Sequence, residues 1–83
     1  MSASSRKRRL PPDPDNMNGD RAEWAAAALR HFQCTTGTDY EDALCDLLSD
    51  LMHWSDRNGF DFESVLRLAQ MHYEAETSAE PLR

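Results

Sequence analysis

Two glycine-bearing breaks, at Cys34–Gly37 and at Asn58-Gly59, divide the apolar part of this chain into three runs. Within each run the apolar residues recur every three or four positions, the signature of a helix face and not the strict alternation of a half-buried strand. Nearly all the large apolar side chains fall between Trp24 and Tyr73, and no internal repeat is visible. The pattern predicts an all-α fold: a small domain of three helices over residues 20–76. The second and third helices form an antiparallel hairpin, and the first covers it.

The first helix is expected to start at Asp20, with Glu23 three positions on completing a capping box. Its run RAEWAAAALRHFQ is rich in the strongest helix former, and Ala25, Ala28, Leu29 and Phe32 form its stripe, with Trp24 beside it. The second is expected to open on Thr38 and Glu41 as a capping box, with Asp39, Glu41 and Asp42 at the positive end of the helix dipole. Leu44, Leu47, Leu48, Leu51 and Trp54 make its apolar stripe, and Asn58-Gly59 supplies the left-handed residue that ends it. Asp61 caps the third helix, with Phe60 and Val65 placed as a hydrophobic staple. Phe62, Val65, Leu66, Ala69 and Tyr73 line one face, Leu68 and Met71 widen it, and the helix frays after Glu76. A loop this short between two helices makes them antiparallel neighbours. Residues 1–19, with Pro11, Pro12 and Pro14 among Ser, Asp and Asn, read as a disordered arm, and residues 77–83 as a flexible tail.

Size and charge narrow the function. A domain of about 57 residues buries only ~60% of its unfolded surface, so its core is marginal and a partner subunit is a natural remedy. Between Asp20 and Glu76 twelve carboxylates face four arginines, a net charge of −8, whereas Arg6, Lys7, Arg8 and Arg9 make the arm basic. The domain therefore repels phosphates and attracts basic surfaces, and direct nucleic-acid contact is left to the arm alone. A helix-turn-helix reading fails because the recognition helix would carry Asp42, Asp46 and Asp50 towards the phosphates. No apolar run reaches the ~20 residues of a membrane span, and no apolar stretch follows the basic residues as a secretory signal requires. Two cysteines, Cys34 and Cys45, are too few for a disulfide framework, which points to a reduced, cytoplasmic setting.

The stretch from Tyr40 to Glu76 carries DLLSDLMHW, DRNGFDF and a closing HYEAE. In these segments it resembles a family of short bacterial proteins of no assigned activity, often found on plasmids, phages and other mobile elements. The resemblance covers less than half the chain. It implies a bacterial cytosolic setting and a mobile-element origin, and it transfers no functional residues.

Few constellations suggest chemistry. Asp42, Asp46, Asp50 and His53 recur along the second helix, and Asp50-x-x-His53 echoes the ligand pairs of helical di-metal sites. Those sites draw ligands from four helices, and a solvated acidic face explains the same residues. His72 near the end of the third helix fits an ordinary dipole-favoured position. Cys34 has His31 three residues earlier, yet no oxyanion hole or pocket accompanies it, and Cys45 sits beside the leucines as a small apolar group. The three glycines are isolated, so no phosphate-binding loop exists. No catalytic residue, cofactor or metal ligand is assigned.

The expectation is a non-enzymatic protein–protein interaction module, self-associating as a homodimer and steering a basic or nucleic-acid-binding partner. Leu48, Met52, Trp54 and Met71 would be its apolar anchors, and Asp42, Asp46 and Asp50 its steering charges. One alternative is an acidic nucleic-acid mimic that blocks a host or defence complex, in the manner of anti-CRISPR proteins. Another is a metal-dependent helical enzyme built on Asp46, Asp50 and His53.

Overall fold

A computed structural model describes residues 9–79. Arg6, Lys7 and Arg8 of the basic arm, and the end of the tail, lie outside the described residues. Three α-helices make up the domain: α1 (Asn18–Thr36), α2 (Tyr40–Asn58) and α3 (Phe62–Glu76). The described residues contain no strand. Both helix breaks stand where the glycines put them. Gly37 and Gly59 adopt positive φ, +74° and +78°, where a Cβ would be strained. The Gly37 amide donates to the Gln33 carbonyl at 2.8 Å, and the Phe60 amide to the Ser55 carbonyl at 2.9 Å, so the last carbonyls of α1 and α2 find partners.

The helix starts differ from the expected caps. α1 begins two residues before Asp20, at Asn18, and neither α1 nor α2 carries a side-chain cap bond. Asp39, not Thr38, is the N-cap of α2. The Thr38 hydroxyl instead shares a 2.7 Å hydrogen bond with that of Thr36, closing the α1–α2 turn. Asp61 does precede α3, but its carboxylate accepts from the Ser64 hydroxyl at 2.8 Å and from no backbone amide.

Residues 13–17, assigned from sequence to a disordered arm, form an ordered turn. The Asn16 amide donates to the Asp13 carbonyl at 3.1 Å, and the Met17 amide to the Asp15 carboxylate at 3.2 Å. Arg21 holds that turn against α1. Its guanidinium reaches both Asp15 oxygens, at 3.1 and 2.9 Å, the Asn18 side-chain carbonyl at 2.7 Å and the Glu76 carboxylate at 3.4 Å. Asn18 completes the corner by donating from its amide to the Glu76 backbone carbonyl at 2.8 Å. The start of α1 is thus tied to the end of α3 by polar bonds.

Packing between helices is shallow. Ala43, 2% exposed, is the only buried apolar residue among those described, and no large side chain among them is fully enclosed. Leu29 and Phe32 on α1, Leu47 on α2 and Phe62 at the start of α3 are half-buried. Ala25 and Ala28, placed by periodicity on the inner stripe of α1, are exposed, and the inner face runs through Ala26, Leu29 and Phe32 instead. A run of alanines leaves α1 scarcely amphipathic, so its rotation is set by the two large residues, Leu29 and Phe32. The chain has a radius of gyration of 15.2 Å. A compact chain of this length would measure about 12 Å. Helices of 15 to 19 residues are marginal alone, so their stability must come from an apolar face that packs.

Candidate protein interface

The apolar arc of α2 is wider than one neighbour can cover. At 3.6 residues per turn, Ala43, Trp54, Leu47, Leu51, Leu44, Leu48 and Met52 sweep about 180° of the helix in that order. α1 takes one edge of the arc, where Ala43 is buried and Leu47 half-buried. Leu29 and Gln33 of α1 line a shallow hollow there with Tyr40 and Leu44. α3 leaves from the far end of α2, where Ser55 is buried under the turn. The far half of the arc stays open: Leu44 is 60%, Leu48 43% and Met52 50% exposed.

The anticipated anchors separate into three places. Leu48 and Met52 are one turn apart on the open flank of α2. Trp54 stacks on Phe60 across the α2–α3 turn, with ring centres 5.4 Å apart and planes inclined by 20°. That offset geometry adds to the apolar contact and stiffens the turn. Met71 is exposed, but helix periodicity places it about 140–180° from Phe62, Leu66 and Tyr73, on the polar side of α3. Leu44 and Leu51 join Leu48 and Met52 in an uncovered surface on α2, and α3 carries an open hollow of its own, lined by Val65, Leu68, Ala69 and His72.

Charge lies elsewhere on the same helix. Asp42, Asp46 and Asp50 are exposed, and each is roughly 120° or more round α2 from Leu48. An electrostatic coupling lies at the polar corner. Hydrogen bonding to Arg21 holds the Asp15 carboxyl below its ordinary value of 3.8, and Asp15 raises the Arg21 guanidinium in return. Arg9, the described member of the basic arm, is exposed.

No protein-family model matches this chain, and neither the curated proteins nor the solved structures contain a match. Among the described residues no three His, Cys, Asp or Glu side chains gather to hold a metal, so Asp46, Asp50 and His53 do not converge. Cys34 and Cys45 are free thiols exposed on separate helices. No described helix is long and apolar enough to cross a membrane.

Proposed function

We propose that this chain is a non-enzymatic protein-interaction module that completes its hydrophobic core by self-association. The observation that carries the reading is the exposure of twelve large apolar side chains by helices that, among the described residues, enclose no large one. Soluble monomers scatter single apolar residues over their surface, but rarely leave the main stripe of a central helix uncovered. A core shared between copies resolves this, because apolar burial is the main force favouring the folded state. The bacterial, cytoplasmic and mobile-element setting belongs to the same proposal and rests on the resemblance of the Tyr40–Glu76 stretch.

Thermal unfolding followed by circular dichroism over a hundredfold range of protein concentration tests this. A chain whose folding is coupled to association melts at a temperature that rises with concentration. A melting temperature independent of concentration contradicts the proposal.

The exposed carboxylates favour a second reading, a nucleic-acid mimic that occupies a basic groove. The arc holding Asp42, Asp46 and Asp50 is free on the side of α2 away from its leucines. Such binding weakens steeply with salt and is displaced by DNA or RNA. Capture on a basic partner that resists both would exclude it.

A further inference from the structure

We infer that the open flank of α2 is the seat of α2 from a second copy, paired antiparallel about a two-fold axis that passes beside Leu48. The inference rests on the self-association reading and deepens it. Leu44, Leu48 and Met52 form a ridge at i, i+4 and i+8, and Cys45 and Leu51 flank it. The pattern is symmetric: Leu44 and Met52 each lie four residues from Leu48, and Cys45 and Leu51 each lie three. Two-fold pairing is self-complementary when residue i meets j and j meets i. Reversing this ridge about Leu48 sets Leu44 against the partner's Met52, Cys45 against the partner's Leu51, and Leu48 against its own copy.

Charge selects this occupant. Four large apolar side chains of the flank, Leu44, Leu48, Leu51 and Met52, are exposed. The flank itself holds no carboxylate between Leu44 and Met52 on its apolar side, because Asp46 and Asp50 project from the other side of the helix. Two acidic copies therefore meet through neutral surface while their charges stay apart. A basic partner drawn to Asp42, Asp46 and Asp50 on the far arc would leave the leucines uncovered. Antiparallel pairing also sets each helix N-terminus beside the partner's C-terminus, which the helix dipoles favour.

Site-directed cross-linking tests the axis. In the full chain carrying Cys34→Ser and Cys45→Ser, Leu48→Cys is expected to form a disulfide-linked dimer under mild oxidation. Leu44→Cys alone should not, since the two copies of position 44 stand about 12 Å apart along the helices, beyond the ~7 Å that a disulfide spans. A mixture of the Leu44→Cys and Met52→Cys chains should cross-link with each other. Circular dichroism confirms that each variant is helical, and sedimentation equilibrium of the unaltered chain gives an answer free of any substitution. A dimer in solution whose Leu48→Cys variant stays unlinked, or whose Leu44→Cys variant links to itself, overturns the axis and leaves self-association standing. A monomer throughout overturns both. Leu48→Asp, which sets two carboxylates on the axis, is expected to raise the dimer dissociation constant by at least ~100-fold, the effect of losing a central hot spot.

Discussion

The corner where α1 begins and the open flank of α2 are opposite kinds of surface. At the corner polar groups find partners. Arg21 serves Asp15, Asn18 and Glu76, and Asn18 returns a bond to the Glu76 carbonyl. Along the open flank of α2 there is almost no polarity, and Leu44, Leu48 and Met52 stand in the open. Polar bonds are directional but contribute modestly net of water, so the corner specifies where α1 lies without supplying much stability. Apolar burial is non-directional and large, so the open flank supplies stability only when something covers it. The fold thus separates the residues that set its geometry from the apolar residues it leaves uncovered.

The sharpest way to break this contrast is Leu48→Asp. It touches none of the corner bonds, yet it should abolish the dimer in sedimentation and lower the melting temperature at fixed concentration, while Asp46→Lys leaves the dimer intact. Next comes the buried edge of the arc. Ala43 is 2% exposed, so Ala43→Asp, which buries an unpaired carboxylate, should destabilise by about 3 kcal/mol. Chemical denaturation measures this, and the loss should appear whether or not the chain is dimeric.

A smaller effect is expected at the turn. A Cβ at Gly59 would meet nothing within 4 Å, so Gly59→Ala is penalised only through the φ of +78°, a cost of about 1–2 kcal/mol. Gly59→Asn should recover part of it, because asparagine tolerates that conformation. The smallest effect belongs to the corner. The Asp15 carboxyl is held below its ordinary 3.8 by Arg21, so its contribution is present at neutral pH and fades as pH falls below the ordinary carboxylate value. Asp15→Asn should lower the melting temperature slightly at pH 7, by less at high salt, and by nothing once the pH is low enough to protonate Asp15 in the native chain.

Sequence reasoning reaches the three helices because their signals are local. Gly37 and Gly59 sit at positions that demand positive φ, and the leucines of α2 recur at the helical period. It fails where a distant partner decides. Asp20 is the better N-cap by propensity, yet α1 starts at Asn18, whose amide bonds a carbonyl 58 residues away. The turn at residues 13–17 reads as a proline-rich arm until Arg21 folds back on Asp15. Thr38 has the side chain of a cap, but Thr36 competes for its hydroxyl. The candidate interface divides in the same way. Leu48 and Met52 are legible because the stripe of α2 is too wide for one neighbour. Met71 joins them by apolar character alone, and its helical phase sets it apart. The pairing of Leu44 and Leu51 with Leu48 depends on which edge of α2 receives α1, a tertiary choice seen in the hollow that Leu29 and Gln33 share with Leu44.

Sedimentation equilibrium of the unaltered chain at micromolar concentration and neutral pH tests the central claim most directly. A mass of twice the 9.5 kDa chain, retained when salt is raised, is the predicted result. A stable, folded species of single-chain mass across the whole concentration range would contradict it.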